Sequence, residues 1–377
     1  MIHHFMHYLG LLNPLHMLKD ILRKTYMYRL FRGNQNINYA DLLLLHLNRI
    51  IRPGTLSVAW LLCGDESVGS SRIHGIDISN YLKSNGVNSC VIQKFKGYCE
   101  YPVLDERAVD MLINARPDVV IFQRIYKGTA AKIAKELSVS RIKTVFLMAD
   151  IFQTDMPFVC DHTIVMSESL KEQLVKVGVR ESSVSVIPDP VETDYSTVKS
   201  YDDERREGIK VVWVGAEANW SSLEVIESAL RDASLRDYKL ITISNHPSAT
   251  FVWDFRTVWD QILDCDIAVI PIDMSRKESL VKSNNRLTMF KALGLPVICS
   301  PLLSYLGIVN HDESGYFATT RDEWLCYLQL LRDPLRRQSI GLAGRDKIFE
   351  QYGIETIGRR YLTLFSKIAG KGDISEI

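Results

Sequence analysis

From Pro53 onward the chain alternates short, almost wholly apolar runs with segments of helical period, and it does so twice. Strands that read as continuous apolar runs are buried on both faces, and when helical segments separate them they predict a parallel sheet with helical crossovers. The first series predicts strands at 56–62, 90–93, 119–123, 144–148, 163–166 and 184–187, with helices near 70–85, 104–115, 128–138 and 167–178. A charged stretch, 193–208, then breaks the pattern and reads as a linker. The second series predicts strands at 211–214, 240–243, 267–270, 297–299 and 316–318, with helices near 221–232 and 284–293. From 321 to about 369 the period is helical throughout, enough for two or three helices. The expected organisation is α/β, with two doubly wound, Rossmann-like domains. A helical N-terminal arm spans 1–52, the first domain 53–192, the linker 193–208, the second domain 209–350, and a terminal helix and tail 351–377.

Composition narrows the function. Lys plus Arg equals Asp plus Glu at 45 each, so no global field gathers nucleic acid and any basic site is local. The seven cysteines show no CxxC spacing and sit mostly in apolar runs, which predicts reduced, buried thiols in a cytoplasmic setting and no metal site. No stretch of 18 apolar residues appears, so no transmembrane helix is expected. Residues 1–33 interleave aromatics such as Phe5, Tyr8, Tyr26, Tyr28 and Phe31 with Lys19, Arg23, Lys24, Arg29 and Arg32. Two readings stand for this segment. It lies on an anionic bilayer, at the inner face of the cytoplasmic membrane, or it packs as an arm on its own protein or a second subunit.

Open α/β sheets bind ligands at the carboxyl ends of their strands, so the strand-to-helix loops are where chemistry is sought. The densest is 266–301, DIAVIPIDMSRKESLVKSNNRLTMFKALGLPVICSP. Lys282 and Arg286 lie four apart, on one face of a helix that Ser283 or Asn284 would cap. Cations at a helix N-terminus are unfavourable unless an anion sits among them, and a phosphate would resolve the conflict. Ser283, Asn284 and Asn285 offer hydroxyl and amide partners beside them. Asp273 and Glu278 either accept from sugar hydroxyls or pair with Arg276 and Lys277. After the first strand comes CGDESVGSSRIHG, where Gly64 and Gly69 permit a tight backbone, Ser70 or Ser71 caps the next helix and Arg72 sits in its first turn. It is an anion-binding loop or an ordinary capped helix. Gly215, in VVWVGAEANWSS, either lets a diphosphate approach the backbone or is a plain strand exit before Ser221 and Ser222. Asp150, just past a strand end, orients an acceptor hydroxyl or takes its proton, or it caps a helix. The lone histidines His74, His162, His246 and His311 show no HxxxH or triad arrangement.

Together the SSRIHG loop, CDHTIVMSESLKEQL followed by VIPDPVE, the strand with VGAEANW, and KSNNRLTMFKALGLPVICSP resemble one family over most of 56–365. The chain is similar to bacterial retaining nucleotide-sugar glycosyltransferases of GT-B architecture, the group 1 or family 4 type that assembles surface polysaccharides. The resemblance implies two Rossmann-like domains facing a cleft and a C-terminal helix that crosses back to the first. It implies transfer of a sugar from a nucleoside diphosphate to a hydroxyl of a glycan or lipid-linked acceptor, without a metal or other cofactor. On it, Lys282 and Arg286 would meet the diphosphate, Gly215, Ser283, Asn284, Asn285 and Glu278 would position the donor, and Ser70, Ser71 and Arg72 would bound the diphosphate or acceptor side. Asp150 would orient the acceptor. Two glutamates usual in the family, eight positions apart, fall here on Val281 and Met289, which cannot accept from a ribose hydroxyl. That departure leaves a second expectation beside the enzyme, a catalytically silent module of this fold that binds a glycan or a partner enzyme. A weaker third is a sugar-nucleotide epimerase.

Overall fold

The structure, a computed structural model, describes residues 37–99, 106–151, 153–201 and 208–372. The reading of residues 1–33 therefore lies outside the described residues.

A first sheet holds β1 (Ser57–Leu62), β2 (Asn88–Gln93), β3 (Val119–Gln123), β4 (Lys143–Met148), β5 (His162–Val165) and β6 (Val184–Val186) in the order β2-β1-β3-β4-β5-β6. A second holds β7 (Ile209–Val214), β8 (Tyr238–Ser244), β9 (Phe251–Val252), β10 (Ile267–Ile270), β11 (Val297–Cys299) and β12 (Tyr316–Phe317) in the order β12-β11-β10-β7-β8-β9. Both are parallel. In each, the chain builds outward from its first strand and then returns to that strand's other side, so the order reverses between β1 and β3 and between β7 and β10. Such reversals open a crevice at the carboxyl ends of the two strands.

The second sheet shows why apolar runs become strands. Side chains alternate across a strand, so Val212 and Val214 face one layer while Val211 and Trp213 face the other. The first layer packs on Leu287 and Phe290 of the helix Asn285–Ala292, the second on Trp324 and Leu328 of the helix Arg321–Leu330. Covered on both faces, the strands carry no polar alternation. The helix Arg321–Leu330 opens with a capping box in which Thr320 and Glu323 each bond the other's backbone N–H.

The chain divides into two compact units, one of Met1–Leu147, Thr154–His162 and Thr363–Ile377, the other of Met148–Gln153 and Thr163–Leu362. In the first unit the helix Tyr39–Ile51, capped by the Asn38 side chain, buries Leu42 and Leu45. The end of the terminal helix Ile354–Ile368 also belongs there. Phe365 meets the Trp60 ring edge-on at 5.9 Å, and Lys371 Nζ donates to Thr55 O at 2.8 Å and to Asp118 Oδ2 at 2.7 Å.

Some expectations need correction. The segment read as one helix at 221–232 is a 3-10 stretch, Glu217–Leu223, followed by a helix Glu224–Leu230. Four helices follow residue 320 among the described residues, because Asp333-Pro334, the left-handed Gly344 and Gly353 each interrupt the run. β9 was not expected, being only two residues long, and its Phe251 and Val252 are exposed at a sheet edge. Among the described residues no helix is long and apolar enough to cross a membrane.

Candidate functional site

In the second unit the strand-order reversal lies between β7 and β10, and the cleft sits there. Asn219, Ser221 and Ser222 reach it from the loop after β7, and Ile272, Asp273 and Arg276 from the loop after β10. Lys282 and Arg286 close it. Arg276 Nη1 ties the two loops by donating to Ala218 O at 3.5 Å. The one carboxylate from these loops on the cleft, Asp273, is engaged by its own turn: Ser275 donates to it from its hydroxyl at 2.6 Å and its amide at 3.0 Å, and these bonds hold the carboxyl below the usual carboxylate range. Three cations, Arg276, Lys282 and Arg286, line the cleft.

Lys282 and Arg286 do not share a helix, contrary to their spacing. The helix begins at Asn285, and Lys282 lies in the turn after a short helix, Lys277–Leu280. Asn284, not Ser283, is the N-cap residue and its side chain makes no cap bond, while the Ser283 hydroxyl donates to Asp189 Oδ2 at 2.5 Å and accepts from the Asn285 amide at 3.5 Å. The turn is held from outside the loop. Ser167 Oγ donates to Val281 O at 2.7 Å, and Ser304 Oγ to Lys282 O at 2.9 Å. Arg286 Nη1 donates to Val214 O, at the carboxyl end of β7, at 3.4 Å. Lys282 Nζ donates to Asp150 Oδ1 at 3.0 Å. The anion beside the lysine is thus a carboxylate of the chain itself.

The other expected residues are placed as follows. Asn285 is half-buried at the start of the helix, its amide 3.5 Å from the Ser283 hydroxyl. Glu278 is exposed and does not reach the cleft. Gly215 does leave β7 directly, but a Cβ there would overlap the indole of Trp213, so close packing alone requires the glycine. In the first unit neither Ser70 nor Ser71 caps a helix. The piece Gly69–Ser71 follows Val68 without a side-chain cap, Ser71 is buried and donates to Gln123 Oε1 at 3.2 Å, and Ser70 accepts from Arg124 Nη1 at 3.3 Å. Arg72 opens a π-helical turn, Arg72–Ile76, and donates to Glu66 O at 2.8 Å. Gly64 is needed because a Cβ would stand 2.8 Å from Gly97 O.

Sequence reasoning missed several residues. Arg276 was read only as a possible partner for Asp273. Ser167 and Asp189 lie in the quoted MSESL and VIPDPVE segments, yet their partners are more than 90 residues away and no spacing signals them. Arg124 carried no motif. Trp220 and His246, on the loops after β7 and β8, stack at 3.9 Å with planes 12° apart. Val281 is 2% exposed, and Met289 packs against the core of the second sheet, so the positions of the usual glutamates are apolar contacts here.

No protein-family profile and no curated protein sequence matches the chain. Solved structures do. HepE of Anabaena, in complex with UDP and glucose, superposes over 83% of this chain and all of its own at 12% identity, with a TM-score of 0.62. A glycosyltransferase from Rickettsia africae covers 83% of this chain and 98% of its own at 12% identity, TM-score 0.64. The lipopolysaccharide outer core galactosyltransferase WaaB, in its apo form, covers 83% and 100% at 13% identity, TM-score 0.54. At such identities the likeness is one of fold. The chain has the two-domain α/β GT-B fold.

Proposed function

We propose that the chain is a glycosyltransferase that moves a sugar, with retention, from a nucleoside diphosphate to a hydroxyl of a glycan or lipid-linked acceptor in surface polysaccharide assembly. The observation that carries the reading is the cleft of Arg276, Lys282 and Arg286 at the strand-order reversal of the second sheet, on a fold shared with a protein crystallised with UDP and glucose. Breaking the bond from the anomeric carbon to the diphosphate oxygen leaves charge on the diphosphate, and prearranged cations stabilise that charge most where water is excluded. Here the cations are the chain's own, which supports a transfer that needs no metal. When the donor enters, Lys282 turns from Asp150 to phosphate. Asp150, beside the leaving diphosphate, then orients the acceptor hydroxyl on that same face, so that its oxygen bonds the anomeric carbon from the side on which the bond to the diphosphate oxygen breaks, as retention requires, and its proton passes to the carboxylate.

Ser283, Asn284, Asn285 and Gly215 would line the donor's approach, with residues 1–33 docking the enzyme at the inner face of the membrane. The test is the K282A/R286A double variant. Its turnover of the donor should fall by roughly 100-fold or more, with EDTA without effect on the wild type, while the thermal melt stays within a few degrees. Wild-type rates in that variant would sink the assignment. A second reading, a silent module binding a glycan or partner enzyme, is favoured by the apolar Val281 and Met289. Titration with UDP, GDP, ADP, CDP and dTDP separates the two, because a module without a donor site is stabilised by none of them.

A further inference from the structure

Open α/β sheets bind their ligands at the carboxyl ends of the strands, yet in the first unit it is the amino ends of β3 and β4 that border an open hollow of about 480 Å³. Arg49, Arg116, Asp118, Val139, Arg141 and Lys143 line it. The carboxylate in this set is engaged: Asp118 Oδ2 accepts from the Ser57 amide at 2.7 Å, the Ser57 hydroxyl at 2.8 Å and Lys371 Nζ at 2.7 Å. Lys143 is matched by Asp161 at 3.2 Å. Among the described residues the guanidinium groups of Arg49, Arg116 and Arg141 have no hydrogen-bond or ion-pair partner.

Two of these arginines sit where the backbone calls for glycine. After the helices Asp77–Ser84 and Glu168–Lys176 the chain turns toward its next strand through a left-handed residue, Gly86 at φ +81 and Gly178 at φ +99. After Glu106–Ala115 and Ala130–Val139 the same place is held by Arg116 at φ +46 and Arg141 at φ +62. Glycine takes such a turn without steric penalty and arginine does not, so the chain keeps two guanidinium groups on one hollow at a backbone cost. A basic side chain past a helix also offsets the helix dipole. Each helix end carries only roughly half a negative charge, however, so three arginines around three helix ends leave an excess of about one and a half positive charges. The rim is apolar, since Val139 is 85% exposed and Ile50 and Ile51, next to Arg49, are exposed as well.

We propose that this hollow is a binding site for an anion of the phosphate class, gripped by Arg49, Arg116 and Arg141. Three forked guanidinium groups around one open space match a multiply charged, multi-oxygen group better than a single carboxylate. A soluble phosphate ester and a lipid phosphate headgroup share this chemistry, and the headgroup would also cover Ile50, Ile51 and Val139. The site does not depend on the transferase reading.

The experiment titrates full-length protein carrying K282A/R286A, so that the donor cleft does not compete, with pyrophosphate and with acetate at constant ionic strength. Pyrophosphate is expected to bind, acetate at least about tenfold more weakly, and adding R116G/R141G should cost at least about tenfold in pyrophosphate affinity. Glycine suits both turns, so the melt of that variant should stay within a few degrees of its parent, and the loss is then one of guanidinium groups and not of fold. R49Q should weaken binding as well. Vesicles of phosphatidylcholine with and without phosphatidic acid separate the sources. Cosedimentation with the acidic vesicles that is lost in I50S/V139S assigns a lipid headgroup, and pyrophosphate binding without it assigns a soluble phosphate ester. Equal pyrophosphate affinity with and without R116G/R141G overturns the proposal, as does acetate binding as tightly as pyrophosphate.

Discussion

Lys282 Nζ stands 3.0 Å from Asp150 Oδ1, both side chains about one-third exposed, so the lysine proposed to meet the donor phosphate is already paired within the chain. On the proposed function a donor diphosphate displaces that carboxylate. Half-exposed pairs of this kind are worth roughly 0–1 kcal/mol, which sets the size of the competition at a few-fold in affinity. Asp150→Asn should therefore bind UDP up to about fivefold more tightly while its transfer rate falls, because the same carboxylate is proposed to orient the acceptor. Titration and initial rates measured on one preparation decide it. Unchanged UDP affinity would mean that the pair does not gate the cleft.

Restoring the usual glutamates should damage the protein rather than repair it. Val281 is 2% exposed and its carbonyl is taken by Ser167. An ionised glutamate side chain there loses its water, a cost of several kcal/mol that protonation relieves. Val281→Glu should lower the melting temperature by about 5 °C or more at pH 8 and less at pH 5, where the carboxyl is more readily protonated. A melt that matches wild type at both pH values would show that the position opens to solvent.

Strands were legible because burial on both faces writes itself as an unbroken apolar run, and 267–270 and 297–299 match β10 and β11 to the residue. Side-chain placement was not. A spacing of four means a shared face only inside a helix, and the helix at Asn285 begins too late to include Lys282. Both residues still reach one cleft, because the turn between them is fixed by Asp189 and Ser167, which arrive from distant segments. The π-helical turn at Arg72 and the left-handed backbone of Arg124 leave no mark in composition or period.

Gly341 makes a sharper case for close packing. A Cβ there would overlap the Tyr201 hydroxyl and Gly294 O and stand 3.0 Å from Pro296 N. Tyr201 is fixed in turn by donating to Gly294 O at 2.6 Å and to Arg337 O at 3.2 Å. Gly341→Ala should cost about 2–4 kcal/mol in denaturant unfolding, since backbone cannot yield as a flexible side chain can. In a Tyr201→Phe background the added cost should shrink without vanishing, because the Gly294 carbonyl still obstructs. Strict additivity of the two changes would contradict the shared contact.

His162, the first residue of β5, is 8% exposed, and burial, helped by the nearby Lys367 charge, pushes its pKa down to about 4 from 6.5. Between those values the unfolded chain holds a proton that the folded chain does not, so lowering the pH through this window favours unfolding. The contribution is intact above pH 6.5 and lost progressively toward pH 4, where it amounts to roughly 2 kcal/mol, less than the full shift implies because part of the ring keeps contact with water. His162→Gln removes the group, so its stability between pH 7 and 4.5 should decline less steeply than that of the wild type. Denaturant titrations at four or five pH values give both slopes, and parallel slopes would mean that the histidine is protonated in the folded protein.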